Sequence, residues 1–456
     1  MIRYTAGGES TLKSISGSFV HKLYEMSRSA VPERVMQKAR ECLIDYIGCA
    51  IGGGAANLDR NRAFLERNGF QGAYHVIRQP EKADLRTAVM LNAFNAHTLE
   101  LDDSHRTAMT HLGAPIFSAL LGVAEQDGSD TEQLLRAAVV GYEAAICLAN
   151  SVQPGHKMRG FHVSGTCCTA GCAMGVAALR AYSEEEMNNA FSAAVTSAAG
   201  LLAVISGRSE QKPYNIANAA VSGLNAALYG AGFSGAVDIL GDERGFFRAE
   251  TDESHADRLF SAPYAIEGIY QKLYAACRHC HAPMEAMLKL MDRHDISPDD
   301  VSEIVVDTYG LAIQGHDHSK IEGVSSAKQS IPYGVAAACR VRDCGIAAFS
   351  SERIADAELL KLTEKVTVRE DPELTALLPD RRAAKLRVVL RDGRSFDERV
   401  DYPKGEPENP LTARELREKF IRLAEFGGYS TQEARLYYEF LSQLRGERAA
   451  MIFDRR

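Results

Sequence analysis

Five of the thirteen histidines fall between positions 97 and 162: His97, His105, His111, His156 and His162. The densest stretch, HTLELDDSHRTAMTH, sets Glu100, Asp102, Asp103, Ser104, His105, Arg106 and His111 within about four helical turns, or a loop of the same length. Carboxylate and imidazole groups this close move each other's pKa toward the range useful for proton transfer. A capped helix start, with Asp102 or Asp103 as the N-cap, fits the same residues. In HKMRGFHVSGT, His162 precedes a Ser-Gly-Thr turn that opens a small-residue helix, where backbone N–H groups can hold an anion. A core or surface histidine is the alternative there. In SGRSEQKPYN, Arg208 and Lys212 interrupt an apolar pair of helices. Two cations suit a carboxylate ligand, and a partly desolvated lysine can serve as a base; a solvated loop fits equally. The fourth cluster is KLYAACRHCHAP. Its Cys277-x-x-Cys280, with His279 and His281, has zinc-ligand types but lacks the second pair usual for structural zinc, so no metal site is assigned. Arg278 and His281, one helical turn apart, read instead as an anion clamp and an acid/base group.

The elements that must position these groups are mostly helices. Residues 32–51 place Val35, Ala39, Leu43, Ile44 and Ile47 at helical spacing, with Gly52–Gly54 as the stop. Further helices are predicted over 86–99, 116–125, 130–149, 166–182, 184–205 and 216–229. Ala and Gly on successive turns of several of them allow close axial approach. After Pro263 the pattern changes. Residues 301–308 and 365–369 read as strands, while 385–390 and 395–400 flank Asp392-Gly393, a favoured hairpin turn, with helices over 283–292, 327–340 and 351–362 among them. Helical periodicity returns after Gly405. The expectation is a mainly α protein, with a large all-helical domain of residues 1–266 and 406–456 and a smaller α+β lid domain of 267–405.

Composition narrows the function classes. The chain has 456 residues, 46% hydrophobic and 25% charged, and a net charge of −8, which disfavours a phosphate backbone as partner. The N-terminal MIRYTAGGESTLKSISGSFV lacks the apolar run of a secretory signal, and apolar stretches fall short of the ~18 residues of a membrane span. Free thiols in a reducing cytoplasm are the simpler reading of the ten cysteines. GxSxG, HExxH, GxxxxGK[ST] and a GxGxxG after a strand are all missing.

ARECLIDYIGCAIGG, NAFNAHTLELDDSH, THLGAP, RGFHVSGT, QKPYNIANAA, ACRHCHAPMEA and GEPENPLT, in this order over nearly the whole chain, resemble the MmgE/PrpD family. That family includes 2-methylcitrate dehydratase, cis-aconitate decarboxylase and iminodisuccinate epimerase. The resemblance implies a large all-α domain with an α+β lid, a site in the cleft between them, no metal or organic cofactor, and a homodimer. It places the family's D-x-D-D-T acids on Glu100, Asp102 and Asp103, with Ser104 on the Thr. It also places functional histidines on His111 and His162, the Lys before Pro on Lys212, and the C-R-x-x-H pair on Arg278 and His281. Three departures bear on the substrate: Glu100 is longer than the usual Asp, Ser104 lacks a methyl, and Lys157 stands where Tyr is frequent.

Residue chemistry and resemblance meet on one reaction type. Removing a proton next to a carboxylate builds negative charge that Arg208, Lys212 and Arg278 would stabilise. The expectation is a cofactor-independent lyase, dehydratase or decarboxylase, of a small di- or tricarboxylate, with His111 or Lys212 as base and His162 or the Asp102/Asp103 pair as acid and support. Glu100, Ser104, Arg208, Arg278 and His281 would bind the substrate. An epimerase of an iminodisuccinate-like dicarboxylate and a non-catalytic carboxylate-binding homologue are the alternatives. Neither a nucleic acid nor a membrane is an expected partner.

Overall fold

The computed structural model describes residues 14–69 and 71–454, so most of the N-terminal stretch read above for a leader lies outside the described residues. Capping chemistry delimits several helices. Asp130 with Gln133, Ser183 with Glu186, Thr412 with Glu415 and Ser430 with Glu433 each form a reciprocal capping box, opening the helices Thr131–Val152, Glu184–Thr196, Ala413–Phe426 and Thr431–Ser442. Thr131–Val152 is long and apolar enough to cross a membrane by length and composition. However, 89% of its most apolar window is buried inside the protein, where it packs against Val163–Leu179. That packing needs small residues, because a Cβ on Gly171 would meet the Gly141 carbonyl oxygen at 2.8 Å.

Two sequence expectations change. Gly52–Gly54 do not end their helix, which runs over Glu33–Ala56. A Cβ on Gly53 would stand 1.8 Å from the Asn95 carbonyl oxygen, so the glycines let the helix Leu85–Thr98 pass close by. The helix expected over 184–205 stops at Thr196, and a short 3-10 turn, Leu202–Ile205, follows.

The fold is mainly α, with a smaller α+β part. In that part the strand Val301–Thr308 pairs in parallel with Val366–Glu370 and antiparallel with Ala384–Leu390, which pairs antiparallel with Ser395–Val400. The helices His281–Arg293 and Ile331–Val341 accompany this sheet in one apolar cluster drawn mainly from residues 274–400. Cys49, Leu99, Leu101 and Leu423 enter the same cluster. The larger cluster unites residues 19–269 with the C-terminal helices. Leu99 and Leu101 therefore fix the Glu100 segment at the seam of the two cores.

Candidate active site

Glu100 follows the helix Leu85–Thr98 in a left-handed conformation, φ 57°, a strained arrangement for a residue with a side chain. Partners on both sides hold it. The Lys272 ammonium donates to the Glu100 carbonyl at 3.1 Å and pairs with Oε2 at 3.0 Å, while Lys212 pairs with Oε1. Pro213 at the second position of Lys212–Leu228 suits a helix start and sets Lys212 at its first residue. Burial by itself raises the Glu100 carboxyl, but Lys212 and Lys272 outweigh it and hold the acid well below the usual carboxylate range. Lys328 donates to the Thr98 carbonyl at 3.1 Å, and burial pushes its ammonium down to about 8. From the C-terminal helix, Lys419 reaches the Leu101 carbonyl at 2.6 Å and pairs with Asp45, bracing the same segment.

Asp102 lies between two imidazoles, with His97 Nδ1 at 3.0 Å and His111 Nδ1 at 3.2 Å. The two rings meet edge to face, 4.5 Å apart. Burial opposes ionisation of Asp102, yet His97 and His111 hold it well below its ordinary value. Burial pushes His111 down to about 4 against the pull of Asp102, so its ring is neutral at pH 7. His111 Nδ1 lies 3.2 Å from Asp102 without the alignment of a hydrogen bond, so Asp102 acts on this ring as a nearby negative charge. His162 has the opposite polarity. The Asn215 amide donates to the Leu201 carbonyl at 3.2 Å and to His162 Nδ1 at 3.1 Å, which leaves the ring proton of neutral His162 on Nε2. Burial first, then Lys212, keeps His162 well below its usual value. His162 thus presents a donor, and His111 a neutral ring beside an ionised carboxylate.

Other expected site residues have different duties. Asp103 accepts from the Gly113 N–H at 2.7 Å and from Tyr142 at 2.6 Å, and burial raises it to about 6; it anchors the start of the helix Gly113–Asp127. Ser104 donates to the Thr110 carbonyl at 2.7 Å and closes the loop that carries His111. Arg208 is exposed on the loop before Lys212 and has no ion pair among the described residues. Arg278 is not a free anion clamp. Its guanidinium is spent on Glu406 at 2.5 Å, the Pro403 carbonyl at 3.3 Å and His281 Nδ1 at 2.8 Å, and it stacks 4.3 Å from the Tyr270 ring. His281 donates from Nε2 to the Ala276 carbonyl at 3.0 Å. Both its nitrogens are therefore used, and burial beside Arg278 keeps it neutral. This pair ties GEPENPLT to the lid segment. Lys272, Lys328 and Asn215 were not anticipated, and His97, named in the histidine cluster, was given no role there.

A cleft of about 950 Å³ reaches His97, Glu100, Lys212 and Lys328. His111 and His162 do not line it; they stand beside His97, their ring centres 4.5 and 6.5 Å from its own. Two triads have metal-ligand types, His97–Asp102–His111 and Cys277–His279–His316, each with ligand atoms within 4.8 Å of one another. The first is already paired internally through Asp102.

Residues 17–258 match the MmgE/PrpD N-terminal domain and residues 274–439 the MmgE/PrpD C-terminal domain. Among curated proteins, the chain is similar to a cis-aconitate decarboxylase of Aspergillus terreus, at 24% identity over 94% of this chain and 92% of the relative. It is also similar to the cis-aconitate decarboxylases of Homo sapiens, at 23% over 90% and 87%, and Mus musculus, at 22% over 90% and 86%.

Proposed function

The chain belongs to the MmgE/PrpD family, and from that premise we propose that it is a cofactor-independent lyase of a small di- or tricarboxylate of the cis-aconitate type, decarboxylating or dehydrating it. The observation that carries this reading is a pair of buried neutral imidazoles, His111 against the Asp102 carboxylate and His162 with its proton on Nε2, beside three lysines and one ionised glutamate. Three ammonium groups against Glu100 and the ionised Asp102 leave a net charge of about +1, which suits an anion.

In dehydration, Nε2 of neutral His111 takes the proton next to a carboxylate. Asp102 stabilises the imidazolium that forms, and the electron pair expels hydroxide, which takes a proton from His162 to leave as water. In decarboxylation, the electrons of the breaking C–C bond pass into the conjugated alkene and its carboxylate, and a protonated group of the site returns a proton to carbon. Either way charge builds on a carboxylate, where Lys212, Lys272 and Lys328 act on the transition state more than on the ground state. Support for the decarboxylation branch comes from the relatives' activity, carried over as an expectation. A cytoplasmic homodimer belongs to the same proposal.

The test is turnover of cis-aconitate and 2-methylcitrate by the purified protein and by His111→Asn and His162→Asn. Each variant should lose at least ~100-fold in kcat with its circular dichroism intact. Near-normal rates in folded variants overturn these roles.

A further inference from the structure

Five cationic side chains are more than nine-tenths buried among the described residues: Lys272, Arg278, Lys328, Arg382 and Lys419. Three have a carboxylate partner, Glu100, Glu406 and Asp45 respectively for Lys272, Arg278 and Lys419. Lys328 and Arg382 have none among the described residues, although burying an unpaired charge is costly. Lys328 belongs to the Glu100 group already described. Arg382 donates to the Arg106 carbonyl at 2.6 Å and lies in a different neighbourhood. There Lys157, from the short helix Gly155–Met158, places its ammonium 3.3 Å from His279 Nε2, and His279 Nδ1 meets the Tyr309 hydroxyl at 2.7 Å. The His316 ring is 4.8 Å from His279, and Cys277 completes the group.

Lys157 likewise lacks a carboxylate partner among the described residues; Lys157, His316, Arg382 and Lys212 are the cations acting on His279, and the Cys277 thiol, which burial raises but His316 draws down to about 6, is the negative group beside Lys157. Cys277, His279 and His316 have the ligand types of a zinc site, but two fixed cations beside them repel a dication and favour an anion. Lys212 acts electrostatically on Lys157, Cys277 and Glu100 alike, and the Cys277 N–H donates to the Lys328 carbonyl at 2.8 Å. The carboxylate-free group therefore adjoins the reacting centre, with one wall, Lys157, from the helical domain and the other from the lid.

We propose that Lys157, Arg382 and the Tyr309 hydroxyl, with His279 orienting Lys157 and Tyr309, form a carboxylate-binding subsite that takes the substrate carboxylate remote from the reacting carbon. This makes the chain selective for di- and tricarboxylates and lets the bound anion bridge the two domains. The inference rests on the carboxylate-lyase reading above. Its test uses binding without turnover, so that the two stand or fall separately.

Dissociation constants for unreactive propane-1,2,3-tricarboxylate and for butyrate are measured by calorimetry on wild type, Lys157→Met, Lys157→Arg and Arg382→Met. Losing one charge-assisted contact should weaken the tricarboxylate about 10- to 100-fold and leave butyrate within about 3-fold. Lys157→Arg should recover most of the loss. Lys157, partly buried on a short helix, remains informative should Arg382→Met fail to fold. Unchanged tricarboxylate affinity in folded Lys157→Met overturns the subsite and leaves the lyase reading standing. If wild type binds no carboxylate yet the chain turns over another substrate, both readings fall. Stoichiometric Zn²⁺ binding that Cys277→Ser abolishes and Lys157→Met leaves intact overturns the anion assignment in favour of a metal.

Discussion

Asp102→Asn removes a charge while keeping the side-chain shape. In the folded protein the Asp102 carboxylate stands 3.2 Å from His111 Nδ1. At an effective dielectric of about 20, unit charges at that separation interact by about 5 kcal/mol. A proton half-transferred to His111 in the transition state feels roughly half of this, about 2.5 kcal/mol, which is nearly 100-fold in rate. The expected result is a fall in kcat/KM of about 100- to 1,000-fold at pH 7 with little change in melting temperature. Asp102 raises the His111 pKa, so its removal moves the acid limb of the pH–rate profile below the value of about 4 that holds in the intact protein, not above it. Initial rates between pH 3.5 and 9, with thermal melts alongside, make the assay. A folded Asp102→Asn protein losing less than about tenfold would refute the dyad, because the geometry leaves His111 no other carboxylate partner among the described residues.

Lys328 is an ammonium below about pH 8 and an amine above it, so KM for a polycarboxylate should rise as pH passes upward through 8 while kcat changes less; Lys328→Met should raise KM about 10- to 100-fold at pH 7 and blunt that rise. Arg278→Met leaves buried Glu406 with Arg106 as its remaining cation and should cost about 1–3 kcal/mol of stability, read as a lowered denaturant midpoint, with kcat per folded molecule within about threefold of wild type. Arg208→Ala should leave kcat/KM within about twofold, since the side chain is exposed and outside the site. Gly53→Ala puts a methyl 1.8 Å from a backbone carbonyl and should destabilise by more than the ~1–3 kcal/mol usual for overpacking, or abolish soluble expression.

Much of the helical part was legible because its signals are local: capping residues such as Thr412 and Ser430, and apolar spacing within one helix. Gly52–Gly54 misled because a glycine that ends a helix and one that admits a neighbouring helix look alike until the neighbour, Asn95, is placed. The acid–histidine stretch from His97 to His111 stood out because its groups are adjacent in sequence, although Lys212, Lys272 and Lys419 from distant segments hold it in place. Asp103 and Ser104 share that stretch but bond to the loop and helix around them, a distinction that only side-chain direction reveals. Lys272 and Lys328 gave no signal, since a lone lysine in a mixed segment means nothing until burial places it against Glu100, 172 positions from Lys272. Arg278 was misassigned for the same reason: the acid that consumes it, Glu406, is 128 residues away.

The most direct test of the central claim is proton NMR of the purified protein in deuterated water with cis-aconitate, 2-methylcitrate, citrate, malate and iminodisuccinate, each with and without a chelator. The account predicts that at least one di- or tricarboxylate loses water or carbon dioxide at a rate the chelator does not change. Deuterium entering substrate without loss of either, a rate abolished by the chelator, or silence across the panel would contradict it.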